Sequence, residues 1–381
     1  MSRRRLWGLC ATLSVATFAL AGAAQQPSAP GAAPQAAAAA SGTAPALASA
    51  GSLPANVTVG FLDLQAARAA IVDDSAEPYF DKLQPLEMAA KTGSPVPGAT
   101  LDEQRAECRR RYQAAVQEFT AKEKEDLTWY VSRFQPVLEK QYPLVAKTPW
   151  SFIKVSETIE GGLPHTRGPH IILTSRTLPR LAAAREQAPE NTALYFEGAV
   201  LVHEQLHVVQ RAHPDLFARL YSDQWGFQRA TNIEGCPWLV EHQMLNPDAV
   251  DCGFVFPVMQ EKGIKYIQPL LVLAKTGPTP VMPRDFRAIA VVVDPVEGGF
   301  RVRMGKGEQP LYTELDRVPE YARKVLPANK NFHPAEAAAS VFAHIFTLDA
   351  FRPEDQVPPD TAKLEEAFLG PLSQWFRENL K

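Results

Sequence analysis

Apolar positions along the chain recur with two periods. Between residues 60 and 145 the spacing is helical: Phe61, Leu62, Leu64 and Ala67 open one stripe. LDEQRAECRRRYQAAVQEFTAKEKEDLTWYVSRF, from Leu101, supplies a longer stripe whose charges mark a solvated face. Residues 151–156 form a short apolar run. Turn signals at Gly161, Gly162, Pro164 and Gly168 follow, and His170–Thr174 has the β-branched content of a strand. NTALYFEGAVLVHEQLHVVQRAHP returns to helical spacing, with Asn191 or Thr192 as cap and an end before Pro214, which can open a further helix, DLFARLYSDQWGF. GIKYIQPLLVLAK, FRAIAVVVD and GFRVRMG read as strands, the last two joined as a hairpin through residues 295–299. Two helices, 334–348 and 359–380, close the chain. The pattern predicts an α+β fold without internal repeats, with one continuous domain over residues 57–381.

The N-terminus changes that picture. Three arginines, an apolar run over residues 6–20 and the small residues Ala21, Gly22, Ala23 and Ala24 have the order of a secretory signal peptide over residues 1–24. The expectation is an exported protein, periplasmic or secreted, with no membrane span after cleavage; an uncleaved anchor is the alternative. Arg3 and Arg4 also loosely match a twin-arginine signal. Residues 25–56 are almost entirely Ala, Pro, Gly and Ser, a composition with too little to bury, and read as a disordered linker. The formal charge of −3 is spread without a block of one sign, which removes any electrostatic case for nucleic acid or an anionic membrane surface. Cys108, Cys236 and Cys252 remain after the signal, Cys236 with Cys252 enclosing the shorter loop; without a Cys-x-x-Cys unit they make neither a structural zinc site nor a redox motif.

The candidate chemistry lies in LVHEQLHVVQR, residues 201–211. His203 and His207 are four apart, so on a helix they stack on one face about 6 Å apart along the axis. Two imidazoles at that spacing can share one tetrahedral metal ion. Glu204 lies about 100° round from His203, beside a metal-bound water and off the ion, where a general base belongs. A chance His-Glu-x-x-His is expected on the order of 0.01 times in a chain of this composition, so the motif is specific.

Two histidines leave such a metal one protein ligand short. His213 falls at the metzincin spacing His-Glu-x-x-His-x-x-Gly-x-x-His, with Met244, Met259 and Met282 available for a methionine turn, but Gln210 replaces the glycine that bends that helix. Glu234, in TNIEGCPW, has a thermolysin-like offset among turn residues. Glu336 follows Pro334 in the first turn of a helix whose Ala338, Ala339, Phe342 and Ala343 make a small packing face, which lets that helix approach the His203 helix closely. Glu336 is the expected third ligand, with His213 and Glu234 as alternatives.

LVHEQLHVVQRAHPDLFARLYSDQWGF resembles the active-site helix and following helix of gluzincin metallopeptidases, the thermolysin-like clan. It is similar in particular to a group of bacterial secreted zincins, through Arg211, Pro214, Leu220-Tyr221, Asn246-Pro247-Asp248, and Pro334, Glu336, Ala339 and Phe342. The resemblance spans about residues 166–346. It implies a zincin-like domain, Zn2+ held by His203, His207 and Glu336, Glu204 as base, and His170–Thr174 as an edge strand pairing with an extended peptide. It departs at Ser340, where gluzincins often carry an acidic residue that holds a ligand histidine. The expected function is an exported zinc metallopeptidase acting on peptide or protein substrates. The alternatives are a zinc-dependent amidase or deacylase of the cell envelope, or a non-catalytic envelope protein with a vestigial site. Tyr266, Tyr312, His170 and His333 are candidates to stabilise the oxyanion.

Overall fold

The structure, a computed structural model, describes residues 58–250, 253–261, 263–273, 279–325, 332–353 and 359–381. The expected signal peptide and linker lie outside them, as does Cys252; Cys108 and Cys236 are buried free thiols.

The elements run β1 (Val59–Phe61), α1 (Leu64–Ala70), α2 (Pro85–Lys91), α3 (Leu101–Ala115), β2 (Val116–Gln117), α4 (Ala121–Gln141), α5 (Pro143–Lys147), β3 (Trp150–Val155), β4 (His165–Arg167) and β5 (His170–Thr174). Next come α6 (Thr177–Gln187), α7 (Glu190–Phe196), α8 (Ala199–Ala212), α9 (Pro214–Leu220), β6 (Gln228–Arg229), β7 (Ile233–Glu234) and α10 (Pro237–His242). The chain ends with β8 (Phe254–Gln260), β9 (Gly263–Leu273), β10 (Phe286–Val296), β11 (Gly299–Val302), β12 (Tyr312–Glu314), α11 (Pro319–Lys324), α12 (Pro334–Phe351) and α13 (Pro359–Asn379). The architecture is mixed α+β. Among the described residues no helix is long and apolar enough to cross a membrane.

A five-stranded mixed sheet, ordered β1-β3-β5-β4 with β2 also on β3, forms the centre. Alternation along β3 and β5 sends Trp150, Phe152, Ile171 and Leu173 to one face and Ile153, Val155 and Ile172 to the other, so both faces are covered. The first face carries α4, α8 and α12, the second α1 and α3. Capping boxes at Thr100/Glu103 and Thr120/Glu123 start α3 and α4, splitting the single long stripe read from residue 101. The stretch between His207 and Glu336 builds a second sheet, ordered β6-β8-β9-β10-β11-β7 with β12 on β10.

Three expectations are corrected. Val59–Phe61 is a strand, held in parallel register to Trp150–Phe152. The helix expected to run on from Asn191 or Thr192 is two helices: α7 starts at Glu190 behind Pro189, and the chain breaks before α8 at Gly198. A Cβ on Gly198 would lie 2.7 Å from Phe134 Cζ and 2.8 Å from the Leu194 carbonyl, so the break lies where Phe134 of α4 leaves no room for a side chain. Finally, β5 is flanked by β3 and β4, so His170–Thr174 is not an edge; β4 is.

His344, on α12, adds a pH dependence to this core. Burial, then the charge of Arg352, lowers its pKa to about 4, and among the described residues its Nε2 has no hydrogen-bond partner. The folded pKa is depressed, so the stability it contributes is complete above about 6.5 and is lost as pH falls towards 4. His344→Gln should therefore lose about 2–3 kcal/mol less stability than wild type between pH 7.5 and 4.5, at ~1.4 kcal/mol per pKa unit. Urea unfolding at the two pH values measures this, and equal losses in both proteins would refute it.

Candidate metal centre

Helix α8 is unusual in burying all of residues 201–210, polar ones included. Leu201, Val202, Leu206, Val208 and Val209 join the main core. The polar side chains of HEQLHVVQ are drawn in because other elements meet them there. Gln205 donates to the Thr148 carbonyl at 2.9 Å, and Gln210 donates to the Ala335 carbonyl at 3.0 Å. Helix α12 packs along α8, and its Ala338, Ala339, Phe342 and Ala343 are fully buried in the main core. Pro334 opens α12, and His333 caps it by accepting from Ala335 N. Glu336 is thereby placed in the first turn, facing the two histidines.

His203, His207 and Glu336 offer ligand atoms within 4.8 Å of one another. The two Nε2 atoms are 3.1 Å apart, His203 Nε2 is 3.4 Å from Glu336 Oε2, and His207 Nε2 is 3.5 Å from Glu336 Oε1. The other two third-ligand candidates are not brought here. His213 caps the junction of α8 and α9, and Glu234 lies exposed on β7, paired with Arg301. Gln210, the residue that replaces the metzincin glycine, explains the outcome. Its Oε1 meets His207 Nδ1 at 2.7 Å while its Nε2 holds the start of α12, so one side chain fixes a histidine and the helix that carries Glu336. Among the described residues His203 Nδ1 has no hydrogen-bond partner, so Ser340 does not bond that nitrogen.

Charges in the site are set by burial and proximity. Burial opposes ionisation of Glu336, but His207, His203 and Asn246 outweigh it and hold its carboxyl at about 2. Burial lowers His207, leaving a neutral imidazole suited to a metal. Glu204 is 2% exposed and, among the described residues, one carboxylate oxygen has no hydrogen-bond partner. Burial, then the negative charges of Asp248 and Glu336, pushes its pKa well above the usual carboxylate range, with Arg211 pulling the other way.

A loop completes the surroundings. Asn246 Nδ2 donates to Glu336 Oε1 at 2.5 Å, and its Oδ1 accepts from Asp248 N at 3.1 Å, which fixes the amide's orientation. Asp248 Oδ1 accepts from Thr166 N and Thr166 Oγ1 at 2.5 and 2.8 Å. Arg211 donates to the carbonyls of Pro247, Asp248 and Gly168 and pairs with Glu77, tying the end of α8 to this loop and to the β4–β5 turn. The edge amide of β4 is thus taken by Asp248.

The oxyanion candidates have other contacts, and of them His333 lies nearest in the chain to a cluster residue, three before Glu336. Tyr266 packs on Phe300 and Tyr312 stacks on Trp238, both in the second sheet; His170 bonds Ser151, and His333 is a helix cap. The phenol that feels the site is Tyr221, which burial and then the Glu336 carboxylate hold protonated. Compared with protein-family models, curated proteins and solved structures, the chain finds no match.

Proposed function

We propose that this chain is an exported zinc-dependent metallopeptidase with a zincin-type domain. The observation that carries the reading is the triangle of His203, His207 and Glu336 with Glu204 beside it. Donors about 2.0–2.2 Å from a tetrahedral zinc ion lie about 3.3 Å from one another. The two Nε2 atoms are 3.1 Å apart and lie 3.4 and 3.5 Å from different oxygens of Glu336, Oε2 and Oε1, so the imidazoles match one edge of that tetrahedron and the carboxylate faces both of them. Two imidazoles and one carboxylate, with a fourth position left for water or substrate, are a common catalytic zinc set.

When bound, zinc supplies a Lewis acid and makes water acidic near neutral pH. His203, His207 and Glu336 would hold it, and Asn246 and Gln210 orient Glu336 and His207. Glu204 takes the proton of the attacking water. It would then pass that proton to the leaving nitrogen. A second reading, cleavage of a compact amide or acyl group of the cell envelope, is favoured by one observation: Asp248 occupies the Thr166 amide on the β4 edge, where an extended peptide would pair.

Elemental analysis of the purified chain, offered zinc and then dialysed, tests the metal. The expected result is about one zinc per chain in wild type and none in His203→Ala. Metal-free wild type would end the reading.

A further inference from the structure

Beneath the Asn246 loop lies a buried ionic network that hydrolysis does not use. Glu87 and Lys91, one turn apart on α2, are each 1% exposed, and Glu160 is 2% exposed. Lys91 Nζ lies 3.1 Å from Glu160 Oε2 and 3.6 Å from Glu87 Oε1, and it donates to Tyr79 Oη at 2.5 Å. Glu160 also accepts from the phenols of Tyr79 and Tyr112. Charges this deep are costly, and apolar side chains of similar volume often fill such space with no loss of stability. Their arrangement needs another reason.

That reason is visible where the network meets the backbone. Glu87 Oε1 accepts from Leu245 N at 2.6 Å, and Lys91 Nζ donates to Leu245 O at 2.8 Å. Both polar groups of one residue are gripped by one ion pair, and the next residue is Asn246, whose side chain holds Glu336. We infer that Glu87 and Lys91 are positioning residues for the metal site, clamping Leu245 so that Asn246 is held against the Glu336 carboxylate. The inference rests on the metal reading above. The loop has no helix or named strand of its own; besides the clamp it is held by Met244 N on the Leu271 carbonyl, the Asn246–Ala249 turn, Thr166 on the Asp248 carboxylate, Arg211 on the Pro247 and Asp248 carbonyls and Glu77 on Val250 N, and none of these contacts is to Leu245. Removing the clamp lets Asn246 sample other positions, and Glu336 loses the donor that orients it.

Zinc affinity of the full chain, by competition with a chromophoric chelator, is the readout, with the absorption spectrum of the Co2+-loaded protein beside it. Asn246→Ala should weaken zinc binding about 10- to 100-fold, the usual effect of losing a partner of a ligand. Glu87→Ala and Lys91→Met should weaken it about 10-fold and alter the Co2+ spectrum, but cause no further loss when combined with Asn246→Ala. Glu87→Gln keeps an acceptor for Leu245 N and should retain near wild-type affinity. If Lys91→Met does not fold, Glu87→Ala against Glu87→Gln decides. Wild-type affinity in Glu87→Ala, or losses that add to that of Asn246→Ala, would overturn the clamp and leave the metal reading intact. Failure of wild type itself to bind zinc or Co2+ would instead remove the metal reading.

Discussion

Glu204→Gln should abolish hydrolysis while leaving the zinc content at the wild-type value. The substitution removes one proton acceptor and changes little else. General acid–base groups contribute about 10²- to 10⁴-fold, so kcat should fall by roughly that factor with KM nearly unchanged. Glu204 is not one of the three clustered donors, so metal binding should survive. Folding should survive as well. In the metal-free protein, burial and repulsion from Asp248 and Glu336 penalise the ionised carboxylate, and a neutral amide of the same shape escapes that penalty. The measurement pairs steady-state rates on a peptide library and on acyl amides with zinc analysis of the same sample. Activity within tenfold of wild type would remove Glu204 as the base, and loss of zinc together with activity would make it a structural residue. Under a vestigial, non-catalytic site neither protein turns over any substrate.

The parts of this site that a linear reading reaches are those with a local period. His203, Glu204 and His207 follow from helical spacing. Glu336 follows from a proline that can start a helix and a run of alanines that lets the helix come close, both realised where α12 meets α8. The parts it does not reach are joined across long separations by single side chains. Gln210 reaches Ala335 across 125 positions and Asn246 reaches Glu336 across 90, and neither contact leaves a periodic mark. Asn246-Pro247-Asp248 stood out only through the family resemblance, without a role. In the sequence Gln210 registers only as a missing glycine, although an amide three residues after a histidine on a helix can reach its ring. Position in the sheet was equally hidden. The composition of His170–Thr174 marks a strand, but whether it is central or at the edge depends on three residues, His165–Arg167, that pair beside it. Lys91 and Glu87 look like ordinary surface charges at i,i+4 spacing, and it is the tertiary packing of Tyr79, Tyr112 and Glu160 over them that buries them.

Zinc should raise the thermal midpoint of the metal-free chain, and a chelator should reverse the rise. A ligand that binds only the folded state stabilises it by about 4 kcal/mol when present at a thousandfold excess over its Kd. For a domain of this size about 2 °C follows from each kcal/mol, so the expected shift is about 8 °C. The three donors come from α8 and α12, whose contact is central to the main core, so the ion should stabilise the whole cooperative unit rather than a fraying segment. Glu336→Gln separates metal binding from packing. The amide keeps the volume of the side chain and an oxygen for Asn246, yet offers the ion no negative charge, so the metal-free midpoint should change little while the response to zinc falls to a fraction of the wild-type shift. His213→Ala and Glu234→Ala, at the positions the structure keeps away from the cluster, should respond as wild type does. A wild-type midpoint indifferent to zinc would mean that the triangle is held by hydrogen bonds alone. A full response in Glu336→Gln would mean that the third ligand is another residue.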